Sequence, residues 1–143
     1  MPVSIQVTLD GAQIAGLLRR LEPAERTTRM RAAMTESVAF AVRRVVSKTP
    51  KKTGVLAASI SGRVQSSVLG IVRSPLRYAP HVEFGTRPHT IRPRRARALF
   101  WPGAAHPVKS VSHPGTRGVG MFQNAAAEIG PAVAGIFARH LQP

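Results

Sequence analysis

Tyr78-Ala79-Pro80-His81-Val82-Glu83-Phe84-Gly85-Thr86 is the stretch on which the reading of this chain turns, together with His113-Pro114-Gly115-Thr116, which follows after 26 intervening residues. Each segment ends on Gly-Thr, and a glycine between Phe84 and Thr86 is most useful where the backbone takes a positive φ. Glu83 sits between two apolar neighbours and is the only acid from residue 37 to residue 127. A carboxylate in that setting either accepts hydrogen bonds from the amides of the turn that follows or pairs with a nearby arginine. Both uses make Glu83 an anchor inside the protomer; the alternative is a role that crosses subunits. An arginine-rich insert lies between the two Gly-Thr sites, and this layout suits a docking surface better than an active site.

N-terminal to this region the pattern is regular. Val3, Ile5, Val7 and Leu9 alternate with Ser4, Gln6, Thr8 and Asp10, a period of two that predicts a strand with one buried face. Asp10-Gly11 turns the chain, and Ile14, Leu17, Leu18 and Leu21 then recur at helical spacing. Pro23 suits the first position of a second helix, in which Met30, Met34, Val38, Ala41 and Val45 make one apolar face. Pro50 disfavours helical geometry in the preceding residue, so this helix stops by Thr49. In Thr53-Gly54-Val55-Leu56-Ala57-Ala58-Ser59-Ile60, Thr53 is the expected N-cap of a short helical turn whose Leu56 and Ile60 face inward. A hairpin follows, Ser61 to Gln65 and Val68 to Arg73, joined through Ser66-Ser67.

From residue 75 to 118, prolines at 75, 80, 88, 93, 102, 107 and 114 exclude a long helix and limit central strands. Short edge strands and a long excursion are expected, with residues 87–118 as an extended, proline-stiffened arm that contacts an adjacent subunit. Arg87, Arg92, Arg94, Arg95 and Arg97 place five guanidiniums in eleven residues, ahead of a short strand at Ala98-Leu99-Phe100-Trp101. The run reads as a solvated loop or as a contact with DNA or an acidic neighbouring subunit, since the guanidinium fork suits phosphate and carboxylate alike. Trp101, the sole tryptophan, is expected in the core or an interface rather than as a base-stacking platform. The last segment, Met121 to Leu141, puts Phe122, Ala126, Ile129, Val133 and Ile136 on one helical face, with a kink expected at Pro131.

Composition narrows the function. At 143 residues the chain fits one domain, spanning 1–143, of a size that buries roughly 70% of the surface its unfolded form exposes. There is no cysteine, which removes disulfides, thiolate metal sites and a cysteine nucleophile. Five histidines are scattered without helical ligand spacing or clustered acids, so no metal or other cofactor is expected. Ser59, His81 and Glu83 lack a strand-elbow-helix context, and no phosphate-cradling glycine loop is present, so the expectation is not an enzyme. Twenty-one Lys and Arg against six Asp and Glu leave a formal charge of +15, which favours an anionic partner. No segment approaches the ~18 apolar residues of a membrane span, and Met1-Pro2-Val3-Ser4-Ile5 lacks a leader pattern, so a soluble protein made in the cytoplasm is expected, with no membrane partner.

Several motifs in order then carry a resemblance. Thr49-Pro50, Thr53-Gly54-Val55-Leu56, Ser59-Ile60, Tyr78-Ala79 and Val82-Glu83-Phe84-Gly85-Thr86 are followed by His89-Thr90-Ile91-Arg92-Pro93, Ala98-Leu99-Phe100-Trp101 and Val111-Ser112-His113-Pro114-Gly115-Thr116. In order and spacing, over about residues 30 to 140, this resembles the neck and tail-completion family of long-tailed bacteriophages, minor structural proteins of the head-tail junction. Members often enter the last helix through Pro-Phe, where this chain has Val119-Gly120-Met121-Phe122. The resemblance implies an α+β fold, a small antiparallel sheet flanked by a long helix and a C-terminal helix. It also implies a virion protein assembled in the host cytoplasm into a homo-oligomeric ring, commonly six-fold. That ring would join the portal-side head-closure protein to the tail terminator or tail tube, around the channel through which the genome DNA passes. The other reading is a basic nucleic-acid-binding protein. A ring subunit binds DNA weakly at physiological salt and buries apolar protomer contacts, whereas a DNA binder shows affinity that falls steeply with salt.

Overall fold

Alternation along Val3–Thr8 builds β1, with Val3 and Val7 buried and Ser4, Gln6 and Thr8 exposed, in a computed structural model that describes residues 2–142. β1 pairs antiparallel with β3 (Leu69–Ser74), and β3 with β2 (Ser61–Ser66), giving the sheet order β1-β3-β2. The β2–β3 turn falls on Ser67-Val68, one residue later than the pattern suggests. A register shift between Val64 and Ser66 absorbs the difference, and the Ser66 hydroxyl accepts from the Val68 amide at 3.2 Å.

Asp10 does more than turn the chain: its carboxylate accepts from the Ala12 amide at 3.0 Å and caps α1, Gly11–Arg19. The long helix α2 runs Pro23–Lys48 with proline in its first turn, and it stops at an extended Thr49 ahead of Pro50, as the local chemistry dictates. α2 packs against the C-terminal helix α5, Met121–His140, and both lie on the sheet, α2 chiefly over β2 and β3 and α5 over β1. Ala33, Met34, Ser37, Val38, Ala41 and Val45 are buried along it, and Ser37 satisfies its hydroxyl on the Ala33 carbonyl at 2.8 Å. Close approach to the sheet depends on two strand glycines. A Cβ at Gly62 would lie 2.4 Å from Val38 Cγ1, and one at Gly70 2.2 Å from Val38 Cγ2.

α5 runs antiparallel to α2, and charge locks the pair at both ends. Glu128 takes Arg44 and Lys48, the latter at 2.6 Å, while Glu36 takes Arg139 and His140, each at 2.6 Å. The hydrogen bond from His140, with the Arg139 charge, holds the Glu36 carboxyl below its ordinary range; Lys48 and Arg44 do the same for Glu128. Phe122, Phe137, Met34 and Met121 are the largest side chains in the core. The fold is α+β, a small antiparallel sheet flanked by a long helix and a C-terminal helix. Among the described residues no helix is long and apolar enough to cross a membrane.

Two local expectations need correction. Thr53 is not a cap: α3 (Val55–Ser59) starts from Gly54 at φ +76°, without a side-chain cap bond, although Leu56 and Ile60 are buried as expected. On α5 the buried alanine is Ala125, not Ala126, because the Phe122–Ile129 stripe facing α2 passes through the i+3 position. The helix continues through Pro131, which lies in its interior.

Candidate docking surface

Residues 79–84 form a helix that the proline count conceals. α4, Ala79–Phe84, carries Pro80 in its first turn, where the missing amide hydrogen costs no helical bond. It ends at Gly85, whose φ of +79° explains the glycine. Its buried residues are Ala79 and Glu83.

Glu83 is only 5% exposed, yet it neither caps the following turn nor pairs with arginine. Its carboxylate spans to the start of α5, accepting from the Phe122 amide at 2.9 Å through Oε2 and from the Gln123 amide at 3.0 Å through Oε1. These are early amides of a helix whose own N-cap, Gly120, brings no side chain to satisfy them. A carboxylate there also meets the positive end of the helix dipole. Glu83 is thus an anchor inside the protomer, reaching across 39 and 40 residues. The sequence signal for this partner is a helix start without Ser, Thr, Asp or Asn, set beside the one acid of a long basic stretch.

Around this anchor the two Gly-Thr sites meet. Gly85–Thr86 (β4) pairs antiparallel with Thr116–Arg117 (β7), Gly85 opposite Arg117 and Thr86 opposite Thr116. The Thr86 hydroxyl accepts from the Thr116 amide at 3.0 Å and lies 3.0 Å from the Thr116 hydroxyl. Further amide bonds, Val119 to the Val82 carbonyl at 2.8 Å and Gly120 to the Glu83 carbonyl at 3.0 Å, continue the seam. Backbones pass so closely that a Cβ at Gly85 would lie 2.2 Å from the Thr116 carbonyl oxygen, and one at Gly118 2.4 Å from that of Glu83.

Beyond the seam the chain leaves the core as a ribbon. His89–Ile91 (β5) pairs with Val111–His113 (β6), and the His89 and His113 rings face each other at 5.1 Å. Farther out only one bridge, Leu99 with Val108, holds the strands, in place of the strand expected over Ala98 to Trp101. Seven residues, 92–98, therefore bulge opposite two, 109–110. No residue from 84 to 120 is buried. Trp101 is not in the core: it is 46% exposed, beside Phe100 at 67%. Arg87, Arg92, Arg94, Arg95 and Arg97 are all exposed, and among the described residues none is in an ion pair.

The other residues singled out in the sequence are not brought to this seam. Ser59 bonds the Leu56 carbonyl within α3 and the Ser74 hydroxyl at the end of β3, and the Gly54 carbonyl accepts from the Ala58 amide. Tyr78 starts α4 through its carbonyl and leaves its ring half-exposed, while Pro114 lies exposed next to Gly115, whose φ is +86°. Both Glu83 oxygens are committed to amides, and Ser59, His81 and Glu83 share no hydrogen bond among the described residues. Among those residues no group of three or more His, Asp or Glu is placed to hold a metal ion. The geometry offers a rigid base and an exposed basic ribbon. Compared with family models, curated proteins and solved structures, the chain matches none.

Proposed function

We propose that this chain is a structural subunit of a long-tailed phage neck, forming a ring, taken as six-fold, that joins the portal-side head-closure protein to the tail terminator or tail tube. The observation that carries this reading is the arm over residues 87–118, which buries none of its own residues and is fastened to the core by a closed hydrogen-bonded seam. A segment with so little burial gains little from ordering alone, so a partner must offset its lost entropy. Ile91, Phe100 and Trp101 are its exposed apolar residues and are assigned to a neighbouring subunit. The ordered motifs from Thr49-Pro50 to Gly115-Thr116 support this placement in the particle. The role is mechanical rather than catalytic.

The test is an averaged image of the intact particle together with co-purification. The reading requires the chain as a symmetric ring at the head-tail junction. A chain that never co-purifies with particles, or that occurs there as scattered single copies, overturns it.

A further inference from the structure

The arm carries a charge that the rest of the protein cannot neutralise. Arg92, Arg94, Arg95 and Arg97 occupy the bulge, Lys109 lies on the short side opposite, and no acid occurs between Glu83 and Glu128. A second copy of the chain is a poor source of counter-charge, because its carboxylates are nearly all engaged. Glu25 holds Arg29, Glu36 holds Arg139 and His140, Glu128 holds Arg44 and Lys48, Glu83 is buried on two amides, and Asp10 caps α1. Glu22 alone lacks a side-chain partner among the described residues. A ring of identical subunits therefore packs arms of one sign against bodies that are already neutralised or basic.

We infer that the arginine bulge binds the phosphate backbone of duplex DNA, with the apolar tip left for protein contact. The choice of DNA as the polyanion rests on the neck reading, in which the genome passes the ring; the need for an external polyanion rests on the charge count alone. A two-stranded ribbon is of a width that the B-DNA major groove admits, and guanidiniums bind phosphate as planar forks. Arg94 and Arg95 line one open hollow with Leu99 and Phe100. Contacts of this kind carry no sequence preference and weaken steeply with salt, so affinity is read at low salt and is weak at physiological salt, as a ring subunit requires.

The experiment uses the full chain, a labelled duplex of about 25 base pairs and salt from about 50 to 200 mM, with affinity read by fluorescence anisotropy. R92Q/R94Q/R95Q/R97Q is compared with R19Q/R20Q/R31Q/R43Q, which removes the same formal charge from exposed arginines at the end of α1 and along α2 that also lack carboxylate partners. The arm variant should bind about tenfold or more weakly at the lowest salt, and its plot of log affinity against log salt should flatten by about 3 to 4. The helix variant should stay within about threefold of the parent. Equal losses in both variants would reduce the effect to net charge and overturn the inference, as would an unchanged arm variant. Binding to a polyglutamate peptide as tight as to DNA of equal charge would overturn it in favour of an acidic protein. Equal melting temperatures for the variants and the parent guard against misfolding. If the arm variant loses no DNA affinity while the chain still forms a ring on particles, only this inference falls; if the ring is absent, the neck reading falls whatever the anisotropy shows.

Discussion

Along α2 and α5, Glu128 holds Arg44 and Lys48, Glu36 holds Arg139 and His140, and the facing side chains are buried. Along the arm the cations stand alone, and the closing forces are a three-residue ladder, one bridge and the seam at Gly85–Thr86. The core is stabilised by area removed from water, which acts without any partner. The arm has little such area, so its conformation rests on backbone hydrogen bonds, each worth only about 1 kcal/mol net in water. One chain thus contains a self-sufficient body and a segment whose energetics are completed elsewhere. Glu83 separates the two.

The largest expected effect sharpens that contrast from the core side. Phe137→Ala removes a fully buried ring and should cost about 3–5 kcal/mol of unfolding free energy in urea titration. A loss under about 1 kcal/mol would mean that the α2–α5 interface is loose. At the boundary, Glu83→Ala strands two early α5 amides and should cost about 2–3 kcal/mol, whereas Glu83→Gln, which keeps one acceptor, should cost less. Equal losses for the two variants would show that the negative charge at the helix start, rather than the shape or a single acceptor, is what α5 requires. Gly85→Val meets both a positive φ and the Thr116 carbonyl, and should cost about 2 kcal/mol by thermal melting. A parental melt would break the turn assignment.

How much of this was legible in the sequence depends on the range of the interaction responsible. The alternation of β1 and the two ends of α2 follow from neighbours within a few residues: Val3, Val7, Pro23 and Pro50 sufficed. Gly85 could likewise be read, since a positive φ is a local demand. The Glu83 cap could not be placed by local rules, because its partners lie 39 and 40 residues on and the choice among cap, turn and ion pair is settled by packing. α4 was hidden by Pro80, whose effect reverses between the first turn of a helix and its interior. By residue type Thr53 is the better cap, yet α3 starts from a left-handed residue, Gly54. The pairing of the two Gly-Thr sites was visible only as a repeated motif, without its register.

Acid should separate the regions more gently. Glu36 and Glu128 titrate below their ordinary value of 4.5 in the folded chain, so the stability they add is present above that value and is lost as pH falls through the lowered folded values. The urea midpoint should hold between neutrality and about pH 5 and then decline. E36Q/E128Q should flatten that decline, with a small amplitude because both pairs are partly exposed and screened by salt. The smallest effect belongs to the tip: Phe100→Ala and Trp101→Ala should leave the free chain within about 0.5 kcal/mol of the parent, because these rings are exposed. A larger loss would mean that the tip folds back on the body.

Limited trypsin digestion of the free chain and of assembled particles tests the division most directly, since α2 and the arm are both rich in arginine and differ in what protects them. The free chain should be cut first at Arg94, Arg95 or Arg97, leaving α2 intact, and those cuts should be suppressed in the particle. Equal cutting in both states, or cuts within α2 as fast as those in the arm, would contradict the account.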